Sequence, residues 1–268
     1  MSAVAAQVDG AVVEARGLVK RFGGFTAVND VDISVPAGHI TAMIGPNGAG
    51  KSTVINLLGG ALVPTRGSIK VRGSSTSGHG PHHLARLGLV RTFQTPKLFE
   101  GLTTLESMML SRALFAKSGF FASVTRAPRM RRDEADALSS AMDWLAFVGL
   151  DRAAERPMNA LPVGSQRLVE VARALATEPD VVLLDEPAAG LDHTETAQLA
   201  RLIQEIAKSG IGILLVEHDM HLVMSVADTV VVLDAGNRIA LGTPAEVRED
   251  PAVIEAYLGV VSDDGPSA

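Results

Sequence analysis

One octapeptide constrains this chain more than any other feature: Gly45-Pro46-Asn47-Gly48-Ala49-Gly50-Lys51-Ser52, set between an apolar run, Ile40–Ile44, and an apolar stretch reaching Leu58. The run before it reads as a buried strand and the stretch from Ser52 onward as a helix. Strand, glycine-rich turn and helix in that order form a socket for phosphate. Glycines let consecutive backbone N–H groups curl toward one anion, and the helix that follows adds its positive end. Lys51 can then reach the outer phosphates of a nucleoside triphosphate, and Ser52 can ligate magnesium.

A second site carries carboxylates. Val181-Val182-Leu183-Leu184 is an apolar strand that ends in Asp185-Glu186-Pro187. Two acids at the tip of a buried strand are explained by a metal and a water: Asp185 can hold magnesium, while Glu186 can orient and deprotonate the attacking water. His218 follows another apolar run, Ile211–Val216, and stands where it could sense a γ-phosphate. An Asp-Glu pair alone would more often be surface solvation or a helix start; downstream of a phosphate loop that weighting reverses.

The remaining pattern fits an α/β protein. Val12–Ala15 and Val28–Val35 alternate around Gly23-Gly24 and read as antiparallel strands, and Leu89–Phe93 reads as a short strand after a Ser/Gly-rich loop, Gly73–Gly80. From Thr103 to about Leu150, Leu105, Met108, Met109, Ala135, Leu138, Met142, Leu145 and Val148 recur at helical spacing, the mark of an inserted helical lobe. Helices over Gln166–Ala176, Glu195–Lys208 and Met220–Val226 then alternate with strands over Val181–Leu184, Ile211–Val216 and Thr229–Leu233, which implies a mainly parallel sheet. Lys117–Arg132, with Phe120-Phe121 and Arg126, Arg129, Arg131 and Arg132, reads as a solvated loop rather than a lipid-headgroup or permease contact. No internal repeat is visible, and Ser262–Ala268 reads as a frayed tail.

Composition narrows the class. With 24 basic and 30 acidic residues the net charge is −6, which argues against a protein built to coat nucleic-acid phosphates. The longest apolar runs are far shorter than the ~20 residues of a membrane-spanning helix. Met1–Gln7 has neither a basic start nor a long apolar core, so no secretory signal is read and cytoplasmic residence is expected. The chain has no cysteine, hence no disulfide framework or thiolate metal site.

Taken together these residues resemble the ABC ATPase family. Gln94 looks like that family's Q-loop glutamine, Leu161-Pro162-Val163-Gly164-Ser165-Gln166 occupies the signature position, Ala189-Gly190-Leu191-Asp192 looks like the D-loop, and His218 looks like the switch histidine. Phe22 resembles the aromatic residue that stacks on adenine. The chain is similar in detail to one branch, the LivG-type ATP-binding subunits of branched-chain amino acid importers. Lys20–Gly24, Ala85–Gly88, Arg91–Gln94, Pro187–Leu191, Glu217–Met220 and Val253–Gly259 carry that likeness, which spans nearly the whole chain. The signature departs from the general family pattern, which has Ser and Gly where this chain has Pro162 and Val163, and Gln where it has Ser165.

The resemblance implies a single ABC ATPase domain over 1–268 with a P-loop NTPase (RecA-like) α/β core and an N-terminal antiparallel β subdomain, formed by 1–93 and 161–250. It also implies an inserted helical subdomain over 94–160 and a C-terminal segment over 251–268. It implies ATP as substrate, cradled by Gly45, Pro46, Asn47, Gly48, Ala49, Gly50, Lys51, Ser52 and Thr53, with Mg2+ on Ser52, Gln94 and Asp185. Catalytic roles fall to Glu186, His218 and Gln94, while Gly164, Ser165 and Gln166 contact a partner subunit's ATP and Asp192 lies in the D-loop. The implied partners are a second ATPase subunit, identical or homologous, packed head to tail, membrane permease subunits, and indirectly a solute-binding protein, with this chain peripheral on the inner face of the cell membrane. The alternatives are an importer of urea or amides, a non-transport ABC ATPase, a regulatory module that binds nucleotide without hydrolysis, and a P-loop kinase, which has no use for the signature segment.

Overall fold

The computed structural model describes residues 10–76, 78–92, 101–115 and 128–258. The chain begins with a hairpin of long strands, β1 (Ala11–Phe22) and β2 (Phe25–Pro36), joined at Gly23-Gly24 with Phe22 opposite Phe25. β4 (Arg66–Val71) and the two-residue β5 (Ser74–Ser75) extend it into an antiparallel sheet ordered β2-β1-β4-β5. Val31, Ile33 and Val35 alternate inward, and with Leu18, Ile69 and Val71 they cover α1 (Lys51–Leu58) through Val54, Ile55 and Leu58. The period-2 pattern thus buries one face and leaves the other to water.

The second sheet is ordered β10-β9-β3-β8-β7-β6, from β3 (Ile40–Ile44), β6 (Leu89–Arg91), β7 (Val181–Asp185), β8 (Gly212–Val216), β9 (Thr229–Asp234) and β10 (Asn237–Gly242). All neighbours are parallel except β10, which runs antiparallel to β9. Its inner strands are buried on both faces. In β7, Val181 and Leu183 join the core shared with α1, while Val182 and Leu184 join the opposite core with α5 (Val163–Leu175), α6 (His193–Lys208) and α7 (Met220–Val226). Each such fully buried aliphatic side chain contributes roughly 1.5–3 kcal/mol, which is why these strands read as unbroken apolar runs.

Between β6 and α5 stands a helical lobe of α3 (Thr104–Phe115) and α4 (Pro128–Phe147), both packed on α5. Its first and last segments are hydrogen-bonded side by side at a neck. Thr104 N–H donates to Arg156 O at 2.9 Å, Leu105 N–H to Ala154 O at 2.9 Å and Met158 N–H to Leu102 O at 3.4 Å. Arg173 of α5, half enclosed by the lobe, donates through Nε to Ser111 Oγ on α3 at 2.7 Å and pairs with Glu170 at 3.0 Å. Of the expected apolar stripe, Met108, Leu145 and Val148 are buried, but Leu138 is 43% exposed.

Other details depart from the sequence reading. α4 begins at Pro128, so Arg129, Arg131 and Arg132 are helical residues rather than a loop; Arg126, Phe120 and Phe121 lie outside the described residues. α5 begins at Val163, three residues before the expected Gln166, because Gly164 and Ser165 fit its first turn. The loop before β6 holds β5 and borders a short helix, α2 (Pro81–Arg86), with proline at its first turn, where the missing N–H costs nothing. The chain closes with α8 (Pro244–Glu249) and α9 (Pro251–Leu258) against β10. The expected tail, Ser262–Ala268, lies outside the described residues.

Candidate functional site

The site lies at the carboxyl ends of β3, β8 and β7, three adjacent parallel strands, where open α/β sheets bind ligands. From β3 the phosphate loop turns sharply at Gly45. Its φ is 150°, and a Cβ there would come within 2.1 Å of Leu233 O, so only glycine passes. At Gly50 φ is 100°, and an added Cβ would meet Ala27 O at 2.6 Å. Gly50 is also the N-cap of α1 and offers no side-chain cap, so the first N–H groups of that helix are left for a ligand. By contrast α6, α7 and α8 are capped by Asp192, Asp219 and Thr243. Pro46 is half-buried, Asn47, Gly48 and Ser52 are exposed, Thr53 is half-buried, and Ala49 is buried.

Lys51 folds its amine back over this loop and donates to Gly45 O at 2.5 Å and Pro46 O at 3.0 Å. Burial pushes its pKa below the ordinary value of 10.5, opposed by the charge of Glu186. That opposition places Lys51, at the start of α1, in the field of the carboxylate that follows β7. Tyr257 of α9 packs beside Ile44; burial pushes its hydroxyl pKa up and the Gly45 amide opposes this, so α9 reaches the start of the loop.

The carboxylate end is held by partners the sequence did not announce. Asp185 is 3% exposed, and its Oδ2 accepts from Arg91 Nη2 at 2.8 Å while Arg91 Nη1 donates to Asn56 Oδ1 at 2.7 Å. One guanidinium from β6 therefore ties the tip of β7 to α1. Glu186 has a φ of 48°, in the left-handed region that costs a non-glycine residue about 1–3 kcal/mol. Its N–H donates to Val216 O at 2.9 Å. Ala188 N–H donates to Glu217 Oε1 at 2.8 Å and His218 N–H to Glu217 Oε2 at 3.1 Å. The His218 side chain is 65% exposed, with Nδ1 3.7 Å from Glu217 Oε2.

Phe22, at the hairpin tip, is 47% exposed, and Lys20 Nζ lies 5.0 Å from its ring centroid. α5 likewise starts without a side-chain cap, after Pro162. Its buried Gly164 lies against Glu195: a Cβ there would meet Glu195 Oε1 at 2.3 Å. Ser165 and Gln166 are half-buried, and Gln166 Nε2 donates to Leu161 O at 2.8 Å. Asp192 is exposed, and its carboxylate accepts from Glu195 N–H at 2.8 Å, closing a capping box with the Glu195 side chain. The structure thus gathers the loop Gly45–Thr53, Asp185, Glu186 and His218 at the carboxyl end of the parallel sheet, and Gly164 and Asp192 at the paired starts of α5 and α6. Gln94 lies outside the described residues.

Sequence reasoning assigned no role to Arg91, Asn56 or Glu217. The one signal available was Glu217 itself, a carboxylate that continues an apolar run without a break. For a metal, Ser52 and Asp185 offer few, hard oxygen donors, the set suited to magnesium that keeps most of its shell on water and phosphate.

Residues 28–189 match the family described as "ABC transporter", and residues 238–263 match one described as "Branched-chain amino acid ATP-binding cassette transporter". The high-affinity branched-chain amino acid transport ATP-binding protein BraF of Pseudomonas aeruginosa is 43% identical over 92% of this chain and 98% of its own length. Its counterpart LivG of Escherichia coli K12 is 42% identical over 92% of this chain and 98% of its own. Two solved ATP-binding cassettes of ABC transporters, one nucleotide-free and one in its ADP conformation, each align with a TM-score of 0.80 at 31% identity. They cover 92% and 93% of this chain and 98% and 99% of theirs. With an uncapped phosphate-loop helix, a carboxylate strand beside it and kinship along nearly its full length, the chain belongs to the ABC transporter family as an ATP-binding, ATP-hydrolysing subunit.

Proposed function

We propose that this subunit powers the import of branched-chain amino acids through a separate permease, working as one of a head-to-tail pair of ATPases on the inner face of the membrane. The observation that carries the chemistry is the meeting of Lys51, Asp185, Glu186 and His218 at neighbouring strand ends beside an uncapped helix. The two relatives, both branched-chain amino acid transport ATP-binding proteins by name, and the match at 238–263 support the cargo. Among the described residues no helix is long and apolar enough to cross a membrane.

Phe22 stacks on adenine, the amides of Gly45–Thr53 surround the phosphates, and Lys51 leaves its loop carbonyls for the outer phosphates. Ser52 and Asp185, with Gln94, hold Mg2+, which supplies positive charge to the phosphate oxygens when bound. Glu186 takes a proton from the attacking water, and His218 donates toward the γ-phosphate. Gly164, Ser165 and Gln166 present the uncapped start of α5, with Asp192 beside it, to the ATP held by the partner subunit. ATP then favours the closed pair over the open one, and that difference in free energy moves the permease.

Glu186→Gln tests the chemistry: it should bind ATP as the parent does and turn it over at least about 100-fold more slowly, the scale of a lost general base. Normal steady-state turnover would refute the assignment. Deleting the gene and measuring uptake of labelled leucine, isoleucine and valine tests the cargo, which unchanged uptake would exclude.

A further inference from the structure

Glu217 is a wholly buried carboxylate, 0% exposed, that the chemistry above does not use. Burial pushes its carboxyl up, while the N–H groups of Ala188, His218 and Asp219 draw it down. Its two oxygens are divided between two loops. Oε1 accepts from Ala188, two residues past Glu186, and Oε2 from His218, the next residue along the chain. Val216 O accepts from Glu186 N–H, so the end of β8 grips the turn 186–188 on both sides of Pro187. Glu186 sits in a left-handed conformation that persists only where surrounding structure over-determines it. The grip from β8 is that structure.

We propose that Glu217 is a positioning residue for ATP hydrolysis: its carboxylate links the turn that carries Glu186 to the loop that carries His218, so that base and phosphate sensor keep one mutual geometry. This rests on the roles given to Glu186 and His218 above. The link requires an acceptor at both oxygens. Glutamine is nearly isosteric but puts an NH2 against backbone N–H groups that now face an acceptor, donor facing donor. Aspartate keeps the charge but, one methylene shorter, cannot span both loops.

In the full chain, purified alone or with its permease, Glu217→Gln and Glu217→Asp should lower kcat by about 10- to 100-fold, the scale of a misplaced catalytic group. The Kd for ATP should stay within about twofold of the parent, because the phosphate loop is untouched. Parental kcat in either folded variant would overturn the proposal, and so would a loss of ATP affinity matching the loss of turnover. Amide hydrogen exchange in the parent reads the same contact without any substitution. Protection of the Ala188 and His218 amides is expected, and exchange at the rate of an unstructured peptide would overturn the link even if neither variant folded. Glu186→Gln separates the two ideas: normal turnover there removes the base assignment, whereas lost turnover there with parental kcat in Glu217→Gln removes only the link.

Discussion

Replacing Arg91 by methionine tests the tie between the carboxylate strand and the phosphate-loop helix. Methionine keeps much of the stem's volume, so the loss is the guanidinium with its bonds to Asp185 at 2.8 Å and Asn56 at 2.7 Å. The side chains of Arg91 and Asp185 are 18% and 4% exposed, so water cannot replace the missing partner. Breaking one side of a buried pair costs about 3–5 kcal/mol, and the orphaned Asn56 oxygen adds about 1 kcal/mol. Against this, Arg91 Nε is buried without a hydrogen-bond partner, and its removal returns about 1–2 kcal/mol. The net expectation is a loss of about 3 kcal/mol, or roughly 6–12 °C in Tm for a domain of this size. Urea and thermal denaturation of nucleotide-free protein would measure it. Adding Asp185→Asn to the variant should recover part of the loss, because no unpaired charge then stays buried. A single variant within about 1 kcal/mol of the parent, or a double variant less stable than the single, would refute the reasoning.

Lys51 gives a pH dependence. Because its folded pKa lies below 10.5, the unfolded chain holds more protons between the two values, and stability rises with pH across that window. The cost of burying the charge is fully present below the folded value, so Lys51→Met, which lacks the charge, should show no such rise in urea midpoints taken from neutral pH upward. Gly50→Ala must push a Cβ against Ala27 O and hold alanine at positive φ, so calorimetry should find a loss of more than about 2 kcal/mol together with weakened ATP binding. Asp192→Ala removes the cap of α6 and should cost about 1 kcal/mol in urea unfolding.

The phosphate loop and the Asp185-Glu186 strand were legible because each is an unbroken apolar run ending in residues whose chemistry has few other uses. α8 is legible in principle: Thr243 and Glu246 form a capping box around Pro244, a pattern visible in the sequence. α2 has only six residues, too few to show a period. Arg91 and Glu217 were not legible, because their partners are 94 and 29 residues away and only the sheet order brings them together. The early start of α5 was hidden by Gly164, which discourages a helix in sequence yet is required where Glu195 presses against the first turn.

The neck formed by residues 102–105 and 154–158 brings the two ends of the insertion between β6 and α5 together. Its ends are already zipped together, so the sheet needs only a fixed gap to be bridged, whatever length of chain lies beyond it. Transplanting 102–158 as a cassette of its own then becomes an engineering problem of matching one narrow stalk and the face of α5 on which α3 and α4 pack.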